Sequence, residues 1–401
     1  MSSRASLQDW SFSAVIAGFV AVLVGYTSSA AIVFQAAASA GASGEQIGGW
    51  FSMLGLGMGV TSIGLSLYYR TPVVTAWSTP GAALLVTSLP GTSINDAIGV
   101  FVFASGLIFL CGVSGLFARL MHYIPQALSA AMLGGILLRF GLEAFTSLQS
   151  NLLLAASMCL VYLLARRFFS RFAVILALCA GLVIAAWQGS IAFHGQSLHF
   201  AAPALIMPHF SWATLVGIGV PFFVVTMASQ NAPGIATLHA SGYRLPVSPL
   251  IAVTALLALL LAPFGVFSVC IAAITAAICM GEDVHPDPGK RYTAAVAAGG
   301  FYLLAGLMGG SIGTLFTALP AALIHTIAGL ALLGTFSGSL YRALSEEKQR
   351  DAAVITFLIT ASGVQLFGVG SAFWGLIGGV ITHCILGIPG QTSAQDKGTK
   401  R

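Results

Sequence analysis

Charge is what this sequence has least of. Of 401 residues, 16 are Lys or Arg and 11 are Asp or Glu, so charged side chains make up 7%, against roughly 25% in soluble domains. So few charges could not cover a water-facing surface, which excludes most cytosolic enzymes, disordered proteins and nucleic-acid binders. The net charge of +5 therefore reflects loop cations, not a nucleic-acid partner. Carboxylates are scarcest inside the apolar runs. Asp96 and Glu143 fall at run ends, so no carboxylate proton carrier of the usual intramembrane kind is in view. The six cysteines (Cys111, Cys159, Cys179, Cys270, Cys279, Cys384) sit in apolar runs without a CxxC pair, which suggests neither a disulfide frame nor a metal knuckle. No HExxH motif or paired intramembrane Asp occurs, so an integral-membrane enzyme is a remote alternative. The loop GEDVHPDPGKR holds Glu282, Asp283, His285 and Asp287. Its two prolines and the flanking Lys290-Arg291 mark a solvated turn. No cofactor and no metal is expected.

Apolar residues are abundant instead: 57% of the chain, which with 47 Gly comes to about 276 residues. A spanning helix takes about 20, so there is room for about fourteen. The expected fold is an all-α integral membrane protein of fourteen segments: 12–38, 47–68, 72–89, 94–120, 124–143, 149–167, 171–188, 211–239, 246–262, 264–280, 290–310, 316–343, 347–363 and 366–388. The connection 189–208 reads as an external linker with His194 and His199 but no Lys or Arg, and 391–401 as a tail. With the N-terminus inside, 15 of 16 cations, all but Arg139, fall at cytoplasmic ends, as topology requires. This favours an even segment count with both termini cytoplasmic.

The two halves match weakly near an offset of 200. Val24–Gly41 lies over Val225–Gly242, Thr71–Ala83 over Ala262–Ile274, and Ile124–Gly134 over Leu319–Gly329, at offsets of 201, 191 and 195. Chance similarity between Ala/Gly-rich strings is the competing explanation for any one match. Three in the same order point to two seven-segment repeats, inverted because seven is odd. Inverted repeats are an architecture of secondary transporters.

Segments three and ten are short and punctuated. Pro72-Val73-Val74-Thr75-Ala76 favours extended backbone, and Ser78-Thr79-Pro80 reads as a helix start. Likewise Pro263-Phe264-Gly265-Val266-Phe267 precedes Ser268, the natural cap for a helix over Ile271–Ala277. Extended backbone at membrane depth must pair or line a cavity, and inversion would bring the two stretches together. Their half-helices would then aim N-termini, each with about half a positive charge, at one point. That is an anion site needing no buried Lys or Arg. An ordinary proline kink is the alternative.

Segment eight carries Thr226, Ser229, Gln230 and Asn231 before Pro233-Gly234. Four polar side chains this close are unlikely to face lipid. Gln230 and Asn231 could hydrogen-bond a carboxylate, although helix–helix bonding is the other use of such residues. Trp77, Phe267, Tyr26 and Phe223 could wall an aromatic pocket. The glycines Gly55, Gly57, Gly59 and Gly64 read as close helix packing. His325 and His383 are most simply packing residues, with His325 a weak candidate for proton coupling.

The strings WSTPGAALL (Trp77–Leu85), ASQNAPGI (Ala228–Ile235), AAITAAIC (Ala272–Cys279), HPDP (His285–Pro288) and GSAFWGL (Gly370–Leu376) resemble the benzoate/proton symporter family, BenE, over essentially the whole chain. The resemblance implies the fold shared with uracil symporters: 7+7 inverted repeats, a core of segments 1–4 and 8–11, and a gate of segments 5–7 and 12–14. The core would be 1–122 and 209–312, the gate 123–188 and 313–390. The resemblance also implies a substrate between segments three and ten, contacted by segment eight, and a homodimer. Acidic residues that nucleobase relatives carry there are Ser229-Gln230-Asn231 and Phe267-Ser268-Val269 here.

The expected activity is proton-coupled import of benzoate or a related aromatic carboxylate through a bacterial cytoplasmic membrane by alternating access. Ser78, Thr79, Ser268 and Val269 would meet the carboxylate, with Ser229, Gln230 and Asn231 alongside. Trp77, Phe267, Tyr26 and Phe223 would hold the ring. A transporter of nucleobases or other small anions on the same fold is the alternative.

Overall fold

A computed structural model describes residues 9–116, 125–192, 201–367 and 369–387. Arg4, Arg119, His194, His199 and the expected tail 391–401 lie outside the described residues. The first half runs α1 (Phe12–Ser39), α2 (Gly44–Tyr69), β1 (Thr75–Ala76), α3 (Thr79–Ser88), α4 (Ile94–Ser114), α5 (Gln126–Ser150), α6 (Leu152–Phe168) and α7 (Ala173–Trp187). The second runs α8 (Trp212–Ala240), α9 (Val247–Leu261), β2 (Cys270–Ile271), α10 (Ile274–Met280), α11 (Tyr292–Leu307), α12 (Gly309–Ala318), α13 (Ala321–Ser345), α14 (Arg350–Ala361) and α15 (Ser371–Gly387). Seven described helices are each long and apolar enough to cross a bilayer: α1, α2, α4, α5, α13, α8, and α9 with the short turn after it. The bent pair α11–α12 makes an eighth if read as one span.

Local sequence explains the helix starts. Ser11, Ser43, Ser93 and Asn151 each cap a first turn through a side-chain oxygen, leaving fewer orphan N–H groups. Gln46 completes a capping box with Ser43. The bounds expected for segments 290–310 and 316–343 need correction: the helices run Tyr292–Leu307 and Ala321–Ser345, and α12 (Gly309–Ala318) stands between them, bent by 64° from the preceding helix. Gly309 is where the direction changes. A Cβ there would meet Ser52 Oγ at 2.3 Å and Gly48 O at 2.6 Å, so only glycine lets α12 lie this close to α2.

The glycines of α2 behave as packing residues. A Cβ on Gly55 would lie 2.6 Å from Gly306 Cα, and one on Gly59 2.9 Å from Gly299 O. Small residues thus bring α2 and α11 into backbone contact. Gly64 faces open space and does not share this role.

Elements of the first and second halves of the chain share local detail. α5 and α13 are both 25 residues long and start after Pro125 and Pro320. α1 and α8 both end on a left-handed glycine, Gly41 (φ 79°) and Gly242 (φ 87°). In each case the following residue donates back into the helix, Ala42 N–H to Ala37 O and Tyr243 N–H to Leu238 O. This is the closing bond of a Schellman-type cap.

Outside the bundle, the stretch before α8 is pinned to the start of α4. His209 N–H donates to Asn95 O at 2.9 Å, Asn95 Nδ2 to Met207 O at 2.8 Å, and His209 Nδ1 lies 2.7 Å from Asp96 Oδ1. At the opposite end Asp9 meets Arg70 (3.3 Å), Lys290 (3.8 Å) and the Tyr292 hydroxyl (2.8 Å). The 281–291 loop is held by its own groups. Arg291 donates to His285 O at 2.8 Å and to Met280 O at 2.9 Å, a cation on the carbonyl end of α10.

Candidate functional site

The two extended stretches pair. β1 and β2 are antiparallel, Thr75 opposite Ile271 and Ala76 opposite Cys270, and Ala272 N–H donates to Val74 O at 2.9 Å. So short a ladder leaves its outer edges unpaired, which is costly away from water. On the β1 side α2 supplies the partners: Ser62 Oγ accepts from Thr75 N–H at 3.0 Å, and Ser66 Oγ accepts from Val73 N–H at 3.1 Å. Thr61 and Ser62 also bond the Thr75 hydroxyl, at 2.7 and 2.9 Å. On the β2 side Asn231 Oδ1 accepts from Ile271 N–H at 3.1 Å.

Each strand leads into a half-helix. Ser78 caps α3 through Gly81 N–H at 3.0 Å, with Pro80 in the first turn. The Ser78 N–H donates to Ser268 Oγ at 2.8 Å, and the Thr226 hydroxyl to Ser78 Oγ at 3.3 Å. Ser268 is therefore not the cap of the tenth segment, as its residue type suggests. It braces α3, while α10 starts at Ile274 with no side-chain cap. β1 and β2, α3 and α10, and α5 and α13 each start 195 residues apart, a spacing at which Ser78 corresponds to Ala273. The match expected at 191 differs from this spacing by four residues.

A cavity of about 460 Å³ opens against both half-helix starts, within the roughly 300–1,000 Å³ usual for small-molecule sites. Its inner wall is Ser28 and Ser29 of α1, Ala76 to Pro80 in part, Ser229, Gln230 and Pro233 of α8, Ala272 to Thr275, and Tyr302. Its outer wall is Tyr162, Arg166, Ala173 and Val174 with the Ala331–Arg342 stretch of α13. No Asp or Glu stands among the lining residues. The half-helix starts carry partial positive charge, and the formal charges among the lining residues are the guanidinium groups of Arg166 and Arg342.

Of the expected site residues, Trp77, Thr79, Ser229 and Gln230 line this cavity. Trp77 Nε1 donates to Ser29 Oγ at 2.8 Å, which fixes the indole against the wall. A π-helical turn over Met227–Asn231 sets the faces of α8. Gln230 is half-buried at the cavity, while Asn231 turns inward to the ladder. Such turns recur at functional sites, and Pro233 removes a helical donor beside it.

The others are brought near but stand behind the wall. Ser78, Ser268 and Asn231 are buried braces. Phe267 packs edge-on against Phe101 and Phe222, Val269 and Phe223 are buried off the cavity. Tyr26 supports Trp77 edge-on at 4.8 Å from the next layer. His325, near the start of α13, is half-buried and off the wall. Sequence reasoning missed Ser29, Thr275, Tyr302, Arg166 and Arg342. The Thr27-Ser28-Ser29 run in an apolar helix was a usable signal for the first. The arginines read only as loop-end cations.

A second cavity of about 290 Å³ lies at the other end of α3, lined by Thr87, Ser88 and Pro90 with Arg139 and Gly370.

The sequence profile described as "Benzoate membrane transport protein" (BenE) matches residues 8–385. The chain is 56% identical over 374 residues to inner membrane protein YdcO of Escherichia coli strain K12, covering 93% of this chain and 96% of that protein. It is 42% identical over 379 residues to the benzoate membrane transport protein of Acinetobacter baylyi, covering 94% and 96%. Among solved structures, SLC26A9 superposes with a TM-score of 0.65 at 14% identity, over 95% of this chain and 66% of that one. The transmembrane domain of the cyanobacterial bicarbonate transporter BicA gives 0.56 at 14% identity, over 96% and 98%. The fold observed is thus that of the SLC26 and BicA transporters. The chain belongs to the benzoate membrane transport protein family, a family of membrane transport proteins and not of enzymes.

Proposed function

We propose that the chain imports benzoate or a related aromatic carboxylate, with a proton, across the bacterial inner membrane by alternating access. The observation that carries the reading is the acid-free cavity onto which both half-helix starts open, in a chain of this family. The carboxylate would meet the uncapped first-turn N–H groups of α10 beside Thr79, while α3, whose Gly81 N–H is already taken by Ser78 and whose Pro80 has none, would contribute its dipole. Gln230, which makes no side-chain hydrogen bond among the described residues, would donate to it. Trp77 would flank the ring. Ser78, Ser268 and Asn231 would hold the two half-helices at the spacing the ligand needs. Because no carboxylate stands in the wall, the proton would travel with the substrate, giving a neutral translocated unit.

The architecture we infer is fourteen segments in two inverted sets of seven. Its support is the antiparallel strand pair, the equal α5 and α13, and the like-ended α1 and α8. A core of 1–122 and 209–312 would rock against a gate of 123–188 and 313–390, with both termini cytoplasmic and a homodimer as the assembly. The cavities at opposite ends of α3 suit access from alternate sides.

The test is uptake of labelled benzoate into proteoliposomes under an inward proton gradient. Wild type should accumulate it, and Gln230→Ala should lose uptake while keeping its melting temperature. Wild-type uptake by Gln230→Ala overturns the site. The cavity's charge also suits other small anions, so competition by unlabelled sulfate and uracil is included. Displacement by either, but not by benzoate, selects the alternative substrate class.

A further inference from the structure

The cavity does not end at the half-helix starts. It continues outward between α6 and α13 to two guanidinium groups, Arg166 and Arg342. Loop-end arginines are ordinary in membrane proteins, but these two differ in several ways. Both line the same cavity as Gln230 and Trp77. Neither has a carboxylate partner among the described residues, whose ion pairs are Asp9 with Arg70 and Lys290, Arg139 with Glu143, and Asp96 with His209.

A buried polar group joins them. Tyr162 is 3% exposed, and its hydroxyl oxygen accepts from Arg166 Nη1 at 2.6 Å. That bond leaves the phenol proton unused, on a residue that lines the cavity. The guanidinium also lies over the Tyr162 ring, 5.8 Å from its centroid, which restrains it to this wall.

Part of the wall between the two regions is glycine. Gly334, Gly338 and Arg342 all line the cavity, and their spacing of four puts them on one face of α13. A Cβ at Gly334 would meet only Arg166 Nη1, at 3.9 Å, and one at Gly338 would meet nothing within 4 Å. On this face α13 itself carries no side chain at Gly334 or Gly338, the Arg166 guanidinium lies beside Gly334, and the face ends at Arg342.

We propose that Arg166, Arg342 and the Tyr162 hydroxyl form a second carboxylate subsite at the cavity mouth, where the substrate anion is held as it enters or leaves the central site. This rests on the aromatic-carboxylate reading above. A guanidinium presents a fork of donors matched to two carboxylate oxygens. A low-dielectric cleft lined by one sign of charge concentrates the opposite ion at its mouth. The same oxyanion chemistry would hold a phospholipid headgroup, so the test is made without anionic lipid and repeated with it.

The experiment is stopped-flow fluorescence of purified full-length protein mixed with benzoate, in detergent with zwitterionic lipid, at low and high NaCl. Wild type should bind with an association rate that falls as salt rises. Arg166→Gln/Arg342→Gln should associate about tenfold or more slowly at low salt, the lower range of steering effects, and lose the salt dependence. Arg166→Lys/Arg342→Lys should recover most of the rate, and neutral benzamide should bind all forms alike. Gln230→Ala should lose equilibrium affinity yet keep the salt slope in whatever binding remains. Wild-type rate and slope in the double Gln variant overturn the subsite. So does an equal loss for benzamide, which would mean a shape effect. If added anionic lipid abolishes the wild-type salt slope while the double Gln variant matches wild type without lipid, the arginines serve headgroups and the proposal fails. Absence of benzoate binding in wild type at any salt instead overturns the substrate reading, and the subsite falls with it.

Discussion

Asn231 Oδ1 accepts the backbone N–H of Ile271 at 3.1 Å, with Asn231 1% exposed. An α8 side chain thereby closes the free edge of the two-residue ladder on which both half-helices are mounted. The neighbouring Gln230 faces the cavity. The two amides, adjacent in sequence, have different work.

Asn231→Leu should therefore act on stability. It leaves Ile271 N–H buried and unpaired, at a cost of about 1–3 kcal/mol, and the apparent melting temperature of purified protein should fall. Asn231→Asp, which keeps an acceptor oxygen, should fall less. Unchanged melting in Asn231→Leu would show that the ladder edge does not need this bond.

Gly234 is the second contact between α8 and β2. A Cβ there would meet Ile271 O at 2.4 Å, and a backbone oxygen in a ladder cannot yield. Gly234→Ala should cost about 1–3 kcal/mol by overpacking, read as lowered melting and lowered uptake together. Gly64→Ala is the control, since nothing lies within 4 Å. It should be neutral or stabilise by up to about 1 kcal/mol through helix propensity.

Arg291 ties the 281–291 loop to the carbonyl end of α10. Arg291→Gln removes two charge-assisted bonds to Met280 and His285, each worth about 1.5–3 kcal/mol. The loop should become susceptible to limited proteolysis before the rest of the chain, and ligand affinity should drop because α10 loses its anchor. Proteolysis at the wild-type rate would contradict this.

His325 stands off the cavity wall. His325→Gln should keep gradient-driven benzoate uptake and its pH dependence. Uptake that persists but ignores the proton gradient would move the proton route out of the cavity and onto α13.

Much of this arrangement was legible in the residues. Ser78-Thr79-Pro80 has the chemistry of a cap and first turn, and it forms one. The extended stretch after Pro72 pairs with the one after Pro263. The tenth segment was read less well for a definite reason. Ser268 has the residue type of a cap, but the helix begins after Ala273, which has no capping group at all. The uncapped start leaves no mark in sequence, although it is what leaves the N–H groups of α10 unpaired. Packing hid the rest. Phe267 and Phe223 are aromatic at the right positions, yet a ring's facing is set by neighbours such as Phe101 and Phe222. Arg166 and Arg342 are distant in sequence, and only the meeting of α6 and α13 puts them in one wall.

The most direct measurement is crystallographic: the anomalous signal of bromine in protein bound to 4-bromobenzoate. The account predicts one peak inside the 460 Å³ cavity, with the ring against Trp77 and the carboxylate directed at Gln230, Thr79 and the α10 start. A bromine found elsewhere, with that space filled by solvent, would contradict it.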